Sequence, residues 1–493
     1  MVDSRGRWVV VSFFSLLAVI SALAISIGFF QFVILPAGLI GLVVFGAFLR
    51  GNARLAEFML LFAAIAYVIL SFLWPRYVAF WVPGLPSINM QRIANIAVLF
   101  VMFSSLFSVP SFRSKIGQSF RDYPFFWICF LLFEVFRFIS IFFSSDFGVS
   151  VYQYINEIFV HAVFVFLGVF LGSSIKYFEI FVIAVSFCLV ASFAVALIEV
   201  VRGGNLFAAF VDPDNAYVQW ALSNKVRGGA YRAQSTFGHP LTYAEFASVA
   251  LGISLCVLCF GKFGTKKVLV ALALVGAAIG GVLLSRSRAG YAAAAVAGSL
   301  IFTAPFFSAI IRKTLSLRSA TFWALSSSLV LTAVAAVAYV VVDHAFGSQS
   351  YDVSNSARIT MFVRGWDLLL QSPIVGYGVG LAAEVIGVRA YSGVSRYTVD
   401  SLILSYAVDS GFVALLSFLG CVFAVLISAL ASLRNSSEKY WYIWYSMIAS
   451  VLSFFVFKVI LSLSDNNFFM YIIFGLIVSA LSRSTSKIAN PPG

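Results

Sequence analysis

The chain is 493 residues long, 62% of them hydrophobic and only 10% charged, and its mean hydropathy is +1.01. A soluble domain carries roughly 25% charged residues, so the composition excludes an ordinary soluble protein. The formal net charge is +13. In a membrane protein such an excess mostly reflects Lys and Arg in cytoplasmic loops, and we therefore expect no nucleic-acid partner.

Apolar runs of about 20 residues, the length needed to cross a bilayer, recur along the whole chain. They predict an all-α fold, a polytopic transmembrane helix bundle of about 12–14 spans with a long external loop that carries short helices. The first run is longer than a signal-peptide core, so we interpret it as a helix and not as a cleaved signal. The predicted spans are 8–27, 30–49, 55–74, 93–110, 124–144, 154–173, 178–200, 241–260, 268–284, 289–311, 319–342, 411–432, 441–462 and 467–482.

An even number of spans puts both termini on one side of the membrane. With both termini cytoplasmic, the cytoplasmic segments carry more Lys and Arg than the external ones, as the positive-inside rule requires. The predicted organisation is therefore N-terminal transmembrane helices (1–200), a core with two long external loops (201–432, with the loops 201–240 and 343–410), and C-terminal transmembrane helices with a short cytoplasmic tail (433–493).

Four arginines lie near membrane ends on the predicted external side, where the charge rule disfavours them. Arg227 and Arg232 belong to "RGGAYRAQSTFGHP", and Arg286 and Arg288 belong to the short hinge "LLSRSRAGY". An arginine presents a rigid fork of donors that fits pairs of phosphate oxygens, so we expect these four to bind a diphosphate. The alternatives are a solvated loop that ends in a proline at the first helical position, and a hinge whose arginines reach lipid headgroups.

The second long loop contains a segment, 357–371, whose apolar residues recur at helical spacing. It predicts a helix along the membrane surface that ends at the turn cluster "SPIVGYGVG", followed by a second short helix over 396–410. Arg358 and Arg364 lie on the first of these helices and are further candidates for diphosphate binding. Six residues do not bring two side chains to the same face of a helix, so both need not contact one ligand.

Two residues at the external face could accept the proton of a sugar hydroxyl. Asp400 precedes "SLILSYAVDSG" and offers a carboxylate, and His239 offers an imidazole that is neutral near pH 7. Each has a structural alternative: Asp400 could cap the helix that follows it, and His239 could be a hydrogen-bonding loop residue.

Arg137 and Lys458 are the two Lys or Arg residues that lie within predicted spans. Glu134 and Arg137 are three residues apart, a spacing that lets them pair on one helix face. Lys458 is alone in "FFVFKVILSL" and requires a partner elsewhere in the chain.

The order of these segments resembles the O-antigen ligase and polysaccharide polymerase (Wzy-like) family. The resemblance covers roughly 225–425 and rests on the loop-to-helix junction "YRAQSTFGHPLTYAEFA", the hinge, "ARITMFVRGWDLLLQSPIVGYGVG" and "LILSYAVDSGFVALLSFLG". It implies a metal-independent inverting glycosyltransferase of the bacterial inner membrane that needs no cofactor. Arg232 and Arg288 match the arginines of the family best, and Arg358 matches them less closely.

The family's ligases usually carry His-Asn where this chain has Asp400-Ser401, which favours a polymerase of repeat units over a ligase that transfers glycan to lipid A core. The implied substrate is an undecaprenyl-diphosphate-linked oligosaccharide, reached through membrane lipid. A chain-length regulator and a flippase of the same pathway are the candidate partners. The rival class is a lipid-linked oligosaccharide flippase or another transporter, which should place its cations in a cavity reached from both sides. A receptor or scaffold would explain the long loop but not the arginine hinge.

Overall fold

The computed structural model describes residues 45, 52–79, 88–211, 218–219, 222, 226–227, 230–260, 266–311, 349–389, 397–436, 440–479 and 481. The predicted spans 8–27 and 319–342, and all of 30–49 except residue 45, lie outside the described residues.

Nearly all regular structure in the described part of the chain is helical. A π-helical segment, Ile158–Ala162, joins α5 to α6, and a hairpin of β1 (Val226–Arg227) and β2 (Ala230–Tyr231) precedes α8. The helices are α1 (Ala53–Leu73), α2 (Met90–Ser108), α3 (Pro110–Asp122), α4 (Pro124–Ile141), α5 (Phe147–Glu157), α6 (Phe164–Leu171), α7 (Ile175–Arg202), α8 (Pro240–Leu255), α9 (Val257–Phe260), α10 (Lys267–Ser285), α11 (Arg288–Ile311), α12 (Gln349–Gln371), α13 (Ala382–Ile386), α14 (Leu402–Asn435), α15 (Trp441–Ile460) and α16 (Asn467–Ile477).

Eight helices of the described residues are long and apolar enough to cross a membrane, or nine if the bent pair α2 and α3 forms one span. Six of the eight coincide with a predicted span within three residues at each end. The other two, Phe147–Leu171 and Leu402–Arg434, begin well before the predicted spans 154–173 and 411–432. The predicted class, an all-α polytopic membrane protein, is confirmed.

The central helix of the bundle is α8. It packs against α7, α10, α11 and α15, and 83% of its apolar window is buried inside the protein. Pro240 occupies its first turn, where the missing N–H costs no helical hydrogen bond. The N-terminus of α8 therefore brings the loop before it against the ends of the surrounding helices.

The segments that connect the helices lie at two ends of the bundle, and each end contains an ion pair. At one end the Glu57 carboxylate lies 3.0 Å from the Lys115 ammonium and accepts a hydrogen bond of 3.0 Å from the Tyr177 hydroxyl. At the other end Arg76 forms an ion pair with Asp465, which follows α15. The charge rule predicts the first end to be cytoplasmic and the second to be external.

The long loop differs from the prediction in its boundaries. Helix α12 begins at Gln349, upstream of the expected start, and the second helix begins at Leu402 and leads into the next span. A kink at Gly411, with φ +79° and ψ 179°, separates its first part from the span. Because an L side chain is strained in that conformation, glycine allows the two parts to join at an angle.

Helices α6 and α16 approach each other so closely that their contact requires glycine. A Cβ atom added to Gly475 would lie 2.0 Å from the Val165 carbonyl oxygen, and one added to Gly168 would lie 2.2 Å from that of Ile472. Small residues at such crossings let helix backbones pack directly in a membrane.

We expect Gly475→Ala to destabilise the protein by about 1–3 kcal/mol, because the methyl group forces two backbones apart. The measurement is the thermal unfolding midpoint of the purified protein in detergent. The matched control is Gly276→Ala on α10, where an added Cβ meets nothing within 4 Å. Equal midpoints for the two variants would contradict the close-packing account.

Candidate functional site

The loop before α8 and the arginine hinge between α10 and α11 are in direct contact. Nε of Arg232 donates to the Ser285 carbonyl oxygen at 3.0 Å, and the Ala233 N–H donates to the Leu284 carbonyl oxygen at 3.0 Å. Arg286 ends α10 with φ +50° and is exposed, while Arg288 begins α11 and is half-buried. The two segments that carry the best family matches, Arg232 and Arg288, therefore meet at one end of the bundle. A shared anion site stays a prediction.

The first arginine of the loop lies on the hairpin. Arg227 on β1 pairs with Ala230 on β2, so the hairpin leads directly into Arg232. The predicted binding role of the Arg227 side chain lies outside what the structure describes.

The loop over 233–238 is buried throughout, so this part of the loop is not solvated. Hydroxyl groups attach it to neighbouring helices: Ser235 donates to the Ser192 carbonyl at 2.7 Å, and Thr236 donates to the Phe72 carbonyl. Ser235 has φ +55°, an uncommon conformation for a residue with a side chain. The loop is part of the core and holds Arg232 at its edge.

His239 is the N-cap of α8. Its Nδ1 accepts a hydrogen bond of 3.1 Å from the Leu241 N–H. When Nδ1 of a neutral imidazole accepts, the proton resides on Nε2, which then donates hydrogen bonds and does not accept protons. This geometry supports the alternative of a hydrogen-bonding residue, and it weakens the case for His239 as the general base.

Arg358 and Asp400 form an ion pair, with Nε of Arg358 2.8 Å from Oδ2 of Asp400. The predicted alternative for Asp400 is wrong, because Ser401 is the N-cap of α14 and accepts a hydrogen bond from the Leu404 N–H at 3.3 Å. The Arg358 side chain is 31% accessible to solvent, and the Asp400 side chain is 30% accessible. The carboxylate therefore serves neither the helix end nor the core.

The ion pair lies in the wall of a cavity of about 220 Å³. Ser401 also lines it, and apolar side chains from α12, α14 and the end of α15 form the remainder: Met361, Phe362, Leu404, Val459 and Ile460. A mostly apolar cavity with a few converging charged groups is the usual form of a site for an amphiphilic ligand.

The second arginine of α12 points elsewhere, as its six-residue spacing predicts. Nη1 of Arg364 donates to the Ile386 carbonyl oxygen at the end of α13, at 3.4 Å. The backbone of Arg389 pairs with that of Tyr397 in an isolated antiparallel β-bridge, and the guanidinium carbon of Arg389 lies 5.8 Å from the centre of the Tyr397 ring. The structure does not bring Arg364 together with Asp400.

The turn cluster after α12 docks on the kink of α14. The Phe412 N–H donates to the Pro373 carbonyl at 2.7 Å, and the Gly378 N–H donates to the Asp409 carbonyl at 2.9 Å. The Asp409 carboxylate accepts the Ala382 N–H at 2.7 Å. These bonds fix α12 relative to α14 and so fix Arg358 relative to Asp400.

An ionic network at the N-terminal part of α8 was not predicted from the sequence. Lys458 finds its partner in Glu245, at 2.7 Å, and both side chains are fully buried. Asp465, paired with Arg76, also accepts the Thr242 hydroxyl at 3.0 Å. In the sequence, only the isolated Lys458 in an apolar run indicated this network.

The charge of Asp465 is kept by its neighbours. Burial alone would raise its pKa, but Arg76, the Thr242 hydroxyl and Lys458 together hold the pKa below that of an ordinary aspartate. The carboxylate is therefore ionised at neutral pH, and it ties α8 to the connection between α15 and α16.

The predicted pair within α4 is present and has a third member. Arg137 lies 4.0 Å from Glu134 and also forms an ion pair with Glu157 of α5. The Arg137 side chain is buried, with the rings of Phe133 and Tyr406 each 5.1 Å from its guanidinium carbon. A charge enclosed in this way holds α4, α5 and α14 together.

The end of α15 joins the two halves of the candidate site. Ile460 lines the cavity beside Arg358 and Asp400, and it also packs into the apolar cluster around Ala289, next to Arg288. Ser462, just beyond α15, donates to the Val399 carbonyl. The ion pair and the arginine hinge thus lie on two sides of one helix end.

The described residues contain no group of three or more His, Cys, Asp or Glu side chains that could hold a metal ion. Among the described residues, the charged groups at this end of the bundle that could meet an anion are guanidinium groups. Fixed guanidinium donors bind phosphate oxygens through paired hydrogen bonds.

An all-α membrane bundle with arginines and a carboxylate at one end fits an enzyme acting on a lipid-linked anion. Residues 272–419 match the sequence model of the O-antigen ligase family. This match confirms, over that segment, the resemblance to the O-antigen ligase and polysaccharide polymerase family. No curated protein gives a significant match to the chain.

The matched segment covers part of the candidate site. It contains Arg286, Arg288, Arg358, Arg364 and Asp400, together with the turn cluster that docks on α14. The hairpin, Arg232 and His239 precede it. Direct contact with Ser285 attaches Arg232 to the matched segment.

Proposed function

We propose that this protein is a polysaccharide polymerase that joins undecaprenyl-diphosphate-linked oligosaccharide repeat units at the periplasmic face of the bacterial inner membrane. The observation that carries the proposal is the Arg358–Asp400 ion pair in the wall of a cavity of about 220 Å³, within the segment that matches the O-antigen ligase family. The arginine hinge on the other side of the same helix end supports it.

In this proposal Arg232 and Arg288, with Arg286, neutralise the diphosphate of the donor lipid. A hydroxyl of the acceptor sugar attacks the anomeric carbon, the bond from that carbon to the phosphate oxygen breaks, and its electron pair leaves with undecaprenyl diphosphate. The hydroxyl proton passes to the Asp400 carboxylate. One displacement inverts the anomeric centre. Guanidinium groups supply the positive charge where negative charge develops, the role that a metal ion has in many other transferases.

The ion pair suits both parts of this reaction. The bond to Asp400 uses Nε of Arg358, and a guanidinium carries four further N–H donors that can meet phosphate oxygens. Arg358 can therefore contact the donor while Asp400 faces the acceptor hydroxyl.

Both substrates would arrive through the outer leaflet. Helix α12 exposes an apolar stripe whose members are each at least half accessible: Ile359, Phe362, Val363, Trp366 and Leu370. Phe362 also lines the cavity. Such a face lies favourably against lipid, beside the cavity that would receive the reacting groups.

Polymerase and ligase remain the two candidate activities within the family. Asp400-Ser401 in place of the His-Asn usual in ligases favours the polymerase. The test is the surface polysaccharide of a strain that lacks this gene, separated by size. Loss of long chains with single repeat units retained would support a polymerase, whereas an undecorated lipid A core would assign ligase activity instead.

A flippase is less consistent with where the charges lie. The Arg358–Asp400 pair and the hinge arginines gather at one end of the bundle, while a flippase should carry cations along a path between both faces. The chain-length regulator and the flippase of the pathway are then partners of this protein.

The orientation can be tested by cysteine labelling after the five native cysteines are replaced. We expect Ala230→Cys to react with a membrane-impermeant thiol reagent in cells with an intact inner membrane. The matched control is Lys266→Cys at the predicted cytoplasmic end, which should react only after the membrane is breached. The reverse pattern would invert the topology and remove the candidate site from the periplasmic face.

A further inference from the structure

Glu199 is a buried carboxylate in the last turn of α7. Its Oε2 accepts hydrogen bonds from the Gln234 N–H at 3.1 Å and the Ser235 N–H at 2.7 Å. Its Oε1 accepts from the Asn205 side-chain amide at 3.0 Å, and the Asn205 amide also donates to the Tyr77 hydroxyl at 2.8 Å. Each of these partners of the carboxylate is a neutral N–H donor.

The same chain segment is held from its other side by the arginine hinge. The Ala233 N–H bonds to Leu284, and the Arg232 side chain bonds to Ser285. Residues 232–235 are therefore clamped between the Glu199 carboxylate and the end of α10.

We propose that Glu199 is a positioning residue for Arg232, fixing the backbone from which that arginine reaches the diphosphate of the donor lipid. The inference rests on the proposed function, in which Arg232 binds this diphosphate. A carboxyl group is suited to the task because its two oxygens can accept hydrogen bonds from several N–H donors at once. The alternative is a carboxylate that only completes the packing of the loop, with no effect on ligand binding.

A double-mutant cycle separates these two roles. Binding of radiolabelled undecaprenyl diphosphate is measured for the full chain in nanodiscs, with wild type, Glu199→Gln, Arg232→Ala and the double variant. Glutamine keeps one acceptor oxygen but loses the charge and the second oxygen. We expect Glu199→Gln to weaken binding about tenfold by displacing the arginine. In the Arg232→Ala background the same change should weaken binding by less than about twofold, because the arginine that Glu199 positions is absent.

The matched control is Glu57→Gln at the opposite end of the bundle, where the carboxylate pairs with Lys115. It should leave the affinity unchanged. Thermal unfolding midpoints show whether each variant is folded. If Glu199→Gln does not fold, Glu199→Asp keeps the charge, shortens the reach by one methylene, and tests the same coupling.

The outcomes distinguish the two proposals. Equal weakening by Glu199→Gln with and without Arg232, or no weakening while Arg232→Ala weakens binding strongly, would overturn the positioning role alone. A wild-type protein that does not bind undecaprenyl diphosphate, or an Arg232→Ala variant that binds it normally, would overturn the proposed function and the positioning role with it.

Discussion

Replacing Arg288 by alanine is expected to abolish polymer formation, with a loss of about 10²–10³ in turnover. The residue begins α11 at the hinge that Arg232 contacts through Ser285. Arg232→Ala should have a similar effect. If both arginines bind one diphosphate, the loss of turnover in the double variant should be smaller than the product of the two single losses. Arg288→Lys should restore activity only in part, because lysine lacks the planar fork.

Polymerisation of lipid-linked repeat units by purified variants, at equal protein levels, measures this effect. The matched control is Arg202→Ala, an exposed arginine in the last turn of α7, at the same end of the bundle. It should retain wild-type turnover. Full activity in Arg288→Ala would show that this arginine does not bind the donor diphosphate, and contact with lipid headgroups would be its role.

Asp400→Asn is expected to lower turnover by about 10²–10⁴, the contribution of a positioned general base. Asparagine still offers an oxygen to Nε of Arg358, so the contact between α12 and α14 survives. The start of α14 is unaffected because Ser401 supplies the cap. The substitution therefore removes the proton acceptor and little else.

The measurement is single-turnover transfer in vitro, alongside the thermal unfolding midpoint. Asp367→Asn, on the exposed face of α12, is the matched control and should behave like wild type. Near-normal turnover in Asp400→Asn would limit Asp400 to joining the two helices. His239 would not be a ready substitute, since its Nδ1 is occupied by the Leu241 N–H.

Sequence alone was sufficient for the membrane class and for most spans in the described residues, because an apolar run of bilayer length has few alternative structures. It also indicated that Glu134 and Arg137 pair, since three residues bring side chains to one helix face. The same periodicity separated Arg358 from Arg364. These are local regularities, and the structure follows them.

The remaining contacts join residues that no local pattern connects. Arg76 and Asp465 are separated by 389 residues, and each is a single charge at the end of an apolar run. Nothing in the sequence around Glu245 indicated that it pairs with Lys458. The choice of Ser401 over Asp400 as the helix cap is similar: both residue types cap well, and the distant Arg358 decides between them.

The buried loop before α8 shows the same limit. Its polar sequence resembles a solvated connection, but Ser235 and Thr236 form hydrogen bonds with Glu199, Ser192 and Phe72 inside the bundle. A polar segment can be buried when partners from several helices meet it. Only the assembled bundle reveals those partners.

The most direct test of the central claim uses the purified protein in nanodiscs with a lipid-linked repeat unit labelled in its sugar. We expect longer glycans to form on the lipid and one undecaprenyl diphosphate to be released for each new glycosidic bond, with the anomeric configuration inverted. Both products should be lost together in Arg288→Ala and Asp400→Asn. Movement of the labelled lipid between leaflets without bond formation or diphosphate release would contradict the account and assign the protein to transport.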